Sequence, residues 1–155
     1  MSRPSPQQLA DWRVFLESAL ALIDILDTEL QTERKITLVR YDALAHLEDA
    51  TDGLSMTELA NRILTSKSGL TRVIDRMEAD GLVRRERPPE DRRMVKVLLT
   101  PAGRKTLQDA RAVHHRGIQE HYVQHLNTRE LATLTAALEK VRDHVRPLRP
   151  GRVSG

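Results

Sequence analysis

A short succession of signals near the middle constrains this 155-residue chain more than anything else in it. Ser55-Met56-Thr57-Glu58 is a capping box, in which the Ser55 hydroxyl and the Glu58 carboxylate satisfy orphan amide hydrogens of a helix's first turn. The helix it opens has Leu59, Ala60 and Ile63 on its apolar face and stops near Leu64. Thr65 or Ser66 caps the next helix, which buries Leu70, Val73, Ile74 and Met77 and ends at Gly81, a residue suited to the left-handed position past a helix end. The linker is only about three residues, so the two helices cross steeply and do not lie side by side. After Gly81 the helical period is lost. Two β-prone runs, 82–87 and 95–100, flank Pro88-Pro89-Glu90-Asp91, which predicts a two-stranded hairpin with its prolines in the loop, where they cost no ladder bonds.

The surrounding sequence is helical. Aromatic residues make up only 3% of the chain, so the core has to come from Leu, Ile, Val and Ala on amphipathic elements. Leu9, Trp12, Leu16, Ala19, Ile23, Leu26 and Leu30 recur at spacings of three and four, predicting a first helix from Leu9 to Glu33 after a frayed start at 1–8. A second runs from Thr37 to Ala50 with Val39, Ala43, Leu44 and Leu47 inward. Thr100-Pro101 opens a long helix to His125. Asn127 and Glu130 form a further capping box, and Leu131, Leu134, Leu138, Val141 and Val145 form a 3-4-3-4 seam behind it. The expected fold is mainly α with a small β-hairpin, a single domain over 1–155. A winged helix-turn-helix lobe at 37–103 sits between dimerisation helices at 9–36 and 104–146, and 147–155 is a flexible tail. The outer helices carry more apolar surface than so small a lobe can cover, and a self-complementary seam gives a two-fold dimer.

Composition removes several function classes. The absence of cysteine excludes disulfides, Cys-based zinc, iron–sulfur centres and thiol switches. The longest apolar stretches, such as Ala19–Ile23, are far too short to span a membrane, and Met1–Pro6 lacks the hydrophobic segment of a secretory signal. A cytoplasmic protein without a membrane partner is expected. No nucleophile motif or Gly-rich phosphate loop is present, so neither an enzyme nor a cofactor is expected. His121 and His125 are spaced four apart, with His114 one heptad earlier, but no carboxylate or cysteine is placed with them by the sequence.

Charge is distributed unevenly. Residues 1–50 carry 5 Lys/Arg against 9 Asp/Glu, while 51–105 carry 12 against 8. With its apolar positions turned inward, the helix from Ser66 to Asp80 presents Lys67, Ser68, Thr71, Arg72, Asp75 and Arg76, groups sized for base edges and phosphates in a major groove. Ser68, Thr71 and Arg72 are assigned to bases, Lys67 and Arg76 to phosphates. Ser55, Thr57 and Ser66, at the starts of the two helices, complete the predicted contact set. The hairpin carries Arg87, Arg92 and Arg93 at its tip, suited to a narrow minor groove. A winged module that binds protein is the alternative, and steep salt elution from heparin distinguishes the two.

These segments resemble the MarR family of bacterial transcription regulators over residues 9–146. The resemblance is sharpest in Leu54-Ser55-Met56-Thr57-Glu58-Leu59-Ala60, in residues 66–78, in Asp80-Gly81-Leu82-Val83-Arg84-Arg85, and in Asp91-Arg92-Arg93 leading to Leu99-Thr100-Pro101-Ala102-Gly103. It implies a homodimer on double-stranded DNA, with the fourth helix in the major groove and the wing in the minor groove. Repression at a near-palindromic operator is the usual outcome. In the family's Asp-x-Arg wing motif an ion-paired aspartate stiffens the loop, a part that falls to Asp91 with Arg93, although Pro88-Pro89-Glu90 departs from the usual preceding residues. A ligand crevice is implied near Trp12, Phe15, Arg40 and Tyr41, fit for a small aromatic acid with its carboxylate at Arg40. Zinc-binding relatives imply an alternative at Asp24, Asp42, His46 and His114.

Overall fold

Helical and extended segments alternate in the computed structural model as α1 (Pro6–Arg34), α2 (Leu38–Glu48), β1 (Leu54–Ser55), α3 (Met56–Arg62), α4 (Lys67–Ala79), β2 (Val83–Glu86), β3 (Lys96–Leu99), α5 (Pro101–His121) and α6 (Thr128–Val145). The structure describes residues 3–63, 67–89, 91 and 93–148, with only the backbone of Lys67 and Ser68. The expected caps Thr65 and Ser66, the wing residue Arg92 and residues 149–155 of the expected tail lie outside the described residues, while the tail's first two residues belong to a 3-10 turn, Arg146–Leu148.

Local chemistry sets most boundaries. Ser55 accepts from the Glu58 amide at 3.2 Å while its own amide donates to the Glu58 carboxylate at 2.7 Å, closing the predicted box. Gly81 sits at φ 73°. Its amide donates to the Glu78 carbonyl and the Leu82 amide to the Met77 carbonyl, both at 2.9 Å, which closes α4 in the two-bond motif that requires a left-handed residue.

Three boundaries differ from expectation. α1 begins at Pro6 because Ser5 and Gln8 form a capping box ahead of a proline at the first helical position, so residues 6–8 are helical and not frayed. α5 ends at His121, where Tyr122 leaves the helical region and a 3-10 turn, Val123–His125, follows. The hairpin gains a third strand, in the order β1-β3-β2, with Leu54 opposite Val97 and Val83 opposite Leu99. Capping is the cause: a helix N-cap is extended, here at φ −67° and ψ 160°, so Leu54–Ser55 is already shaped to pair.

The core fills the middle lobe. Leu44 and Leu47 of α2, Leu59 of α3, Leu70, Ile74 and Met77 of α4, Val83 and Val97 of the sheet, and Leu107 and Val113 of α5 are all buried. Each such side chain contributes about 1.5–3 kcal/mol. α1 runs along α5 yet buries only Leu30 fully. Trp12, Val14, Leu20 and Ile23 on α1, with Val141 and Val145 on α6, stay exposed, leaving an apolar face on the outer helices uncovered by the chain itself. No helix among the described residues is long and apolar enough to cross a membrane.

Candidate nucleic-acid interface

Burial of Leu70, Ile74 and Met77 fixes the rotation of α4, so that Thr71, Arg72, Asp75 and Arg76 are exposed together. Neither Arg72 nor Arg76 has a carboxylate partner among the described residues, and the same holds for Arg87 and Arg93 of the hairpin. Arg84 and Arg85 of β2 are engaged internally. Arg84 pairs with Glu86 at 2.7 Å. Arg85 donates to Glu78 at 2.5 Å and to Asp75 at 2.6 Å, and its amide donates to Glu78 at 3.0 Å. Asp75 therefore ties α4 to β2 instead of facing a base. A second tie joins Arg40 of α2 to Asp80 just past the end of α4. α4 is thus held by a buried apolar side and by ion pairs to β2 and α2, while its cationic side is left unneutralised.

The other predicted contacts divide. Thr57 is exposed in the first turn of α3, but the Ser55 hydroxyl is committed to its cap and the residue is half-buried. In the wing, the Asp91 carboxylate accepts from the Arg93 amide at 3.0 Å, and the Asp91 carbonyl accepts from the Met94 amide at 3.2 Å. Asp91 fastens the loop through the backbone. The ion pair that the family motif implied is not formed with any described residue.

The four residues expected at a ligand crevice do not converge within one chain. Trp12 and Phe15 pack against each other in a tilted pair on the exposed side of α1, with ring centroids 5.7 Å apart. Arg40 is engaged by Asp80, its Nε buried without a partner. Tyr41 is buried against the His114 ring at 4.3 Å. It does line a cavity of about 770 Å³ between α1, α2 and α5, whose apolar wall includes Leu20, Ile23, Leu38 and Val39. Asp24, Asp27, Asp42 and His114 also line it. Burial pushes the Asp42 carboxyl above its ordinary value, partly offset by His46, and pushes His114 down, helped by the neighbouring His115.

The predicted zinc set is only partly assembled. Asp42 and His46 lie 3.6 Å apart, and Asp24, Asp42 and His114 share the cavity. Among the described residues, however, the group with three donor atoms within 4.8 Å of one another is Glu29, Glu120 and His121, on α1 and α5. His125 does not join His121, because the helix ends between them and the His125 ring turns to the Glu120 carbonyl at 3.0 Å.

The MarR family model matches residues 35–94, from just before α2 into the wing, ending short of β3. AbsC, a MarR family transcriptional regulator from Streptomyces coelicolor, is 30% identical with a TM-score of 0.87, over 95% of this chain and 99% of its own. Sco3205, a MarR family regulator from the same organism solved in complex with DNA, is 27% identical with a TM-score of 0.88, over 94% and 91%. The HTH-type transcriptional regulator YsmB of Bacillus subtilis is 30% identical over 66% of this chain and 70% of its own. With this near-complete overlap and a shared arrangement of helices and wing, the chain belongs to the MarR family of DNA-binding transcription regulators.

Proposed function

We propose that this protein is a repressor that grips a near-palindromic operator as a homodimer and lets go when a small ligand enters the cavity between α1, α2 and α5. The observation that carries the DNA reading is the outward side of α4, where Arg72 and Arg76 have no carboxylate partner among the described residues, beside a wing bearing Arg87 and Arg93. An exposed guanidinium with no carboxylate to leave loses little on meeting a phosphate or a guanine edge. Arg72 and Thr71, with Ser68, read bases; Arg76, with Lys67, contacts phosphates; Arg93, with Arg92, enters the minor groove. The uncovered apolar face of α1 and α6 supports the dimer, which sets two recognition helices about one duplex turn apart. The cavity supports the switch: a ligand that favours the spacing unfit for DNA lowers operator affinity by the ratio of its affinities for the two states.

Fluorescence anisotropy on operator and scrambled duplexes tests the division of labour. Arg72→Ala is expected to cost about 1–3 kcal/mol on the operator and to relax preference at one position per half-site. Arg76→Ala weakens both duplexes alike and lowers the salt slope by about one. Equal losses on both duplexes for Arg72→Ala would remove it from base reading.

A further inference from the structure

The cavity between α1, α2 and α5 has a charge that determines what it can hold. Its volume, about 770 Å³, falls within the range that encloses a small organic molecule. Among the described residues three aspartates line it, and neither a lysine nor an arginine does. Of the nearby cations, Arg111 is engaged by Glu48 and the Arg40 terminal nitrogen by Asp80, which draws that guanidinium away from the lining, although its Nε keeps no partner among the described residues. Asp27 is satisfied as well, accepting from the Leu38 amide at 2.6 Å and from the Gln31 side chain. Among the described residues Asp24 has no hydrogen bond or ion pair, Asp42 has no ion pair besides the distant contact with His46 at 3.6 Å, and the His114 Nδ1 is buried with no partner.

A carboxylate entering here faces three acids and meets no lysine or arginine among the described lining residues, an arrangement that disfavours it through like charge. An ammonium group meets the reverse. Its N–H groups can donate to two carboxylates in charge-assisted bonds and to a neutral imidazole, while an apolar body covers Leu38 and Val39. We infer that the effector is a protonated organic amine with an apolar or aryl body, its ammonium held by Asp24 and Asp42. The inference rests on the reading of this cavity as the regulatory site, and replaces the aromatic acid that the resemblance implied.

The test uses three molecules that share one ring system: 2-naphthylmethylamine, 2-naphthalenemethanol and 2-naphthoate. Each is titrated calorimetrically into the full-length protein in chelator-treated buffer, then added to the protein–operator complex. The amine is expected to bind at least about tenfold more tightly than the alcohol, the difference a charge-assisted bond makes, and naphthoate least tightly. Asp24→Asn and Asp42→Asn each remove most of that advantage, and retained binding of the alcohol shows that the cavity is still folded. Naphthoate binding tightest, and losing its affinity in Arg40→Ala, would overturn the amine while leaving the ligand switch standing. Equal binding of the three would overturn it too. An amine that binds with the stated preference without releasing the operator would overturn the switch reading and the effector role with it, and failure of all three to bind would remove both.

Discussion

Gly103 lies in the first turn of α5, packed against Leu82 and Leu99 of the wing base, and replacing it with alanine sets two effects against each other. Alanine is the better helix former by about 0.8–1 kcal/mol. A Cβ at this position, however, would lie 2.0 Å from the Leu82 carbonyl oxygen and 2.9 Å from Leu99 Cδ1. The first is a backbone atom held in place: the Leu82 carbonyl accepts from the Thr100 amide at 3.2 Å, and the Thr100 hydroxyl donates to the Gly81 carbonyl at 2.7 Å while accepting from the Gly103 amide at 3.0 Å. Relief therefore needs α5 and the end of α4 to separate by more than about 1 Å, an overpacking cost at or above the usual range of roughly 1–3 kcal/mol. Clash exceeds propensity, and a net loss of about 2 kcal/mol lowers the melting temperature by roughly 4–8 °C for a domain this size. Gly117→Ala is the control. Its Cβ would meet Glu29 Oε2 and Leu26 Cδ2 at 2.6 Å, both side-chain atoms that can rotate aside, so its loss is smaller. Thermal unfolding at fixed protein concentration reads both variants, and operator anisotropy reads the displaced wing base in Gly103→Ala. A Gly103→Ala protein that melts at or above wild type with unchanged operator affinity would refute the reasoning.

Three further outcomes follow from named contacts. Asp91→Ala removes the acceptor for the Arg93 amide and is expected to weaken operator binding about 3- to 10-fold although it deletes a negative charge; tighter binding at low salt would mean that charge outweighs loop geometry. Val141→Glu and Val145→Glu change side chains that one chain leaves exposed, so sedimentation is expected to show folded monomers that no longer hold operator DNA, and intact dimers would remove α6 from the interface. For His114, burial holds the proton affinity below the ordinary 6.5 in the folded state, so the unfolded chain binds more protons below that pH. Its contribution to stability is full above 6.5 and is lost as pH falls toward the folded value. His114→Gln should therefore lose less stability than wild type between pH 7.5 and 5.5, and parallel pH profiles would contradict it.

The elements governed by local chemistry were legible in the chain. The Ser55–Glu58 box, the Gly81 terminus and the inward set Leu70, Ile74 and Met77 follow from spacings of three and four residues, and they fix the outward side of α4. Ser5 and Gln8 carry the same capping signal at α1, hidden among prolines that read as a frayed end. β1 was not legible, because two residues show no periodicity and pair only once β3 is in place. Partners distant in sequence were invisible in the same way. Asp75 lies on the polar side of α4 like its neighbours, and only the fold brings Arg85 to it. Arg40 reads as a cation available to a ligand until Asp80, forty residues on, is folded against it. Asp24 and Asp42 entered only as zinc ligands that the resemblance implied, and Asp27 enters the cavity only through the approach of α1 to α2.

Selection of binding sites from random duplex DNA with the purified full-length protein tests the central claim most directly, when followed by titration of the enriched site against a scrambled duplex at physiological salt. The account expects a two-fold-symmetric site with half-sites about one helical turn apart, occupied by two chains and bound roughly 10³-fold or more tightly than the scrambled duplex. Enrichment of no sequence, or equal affinity for both duplexes, would contradict it.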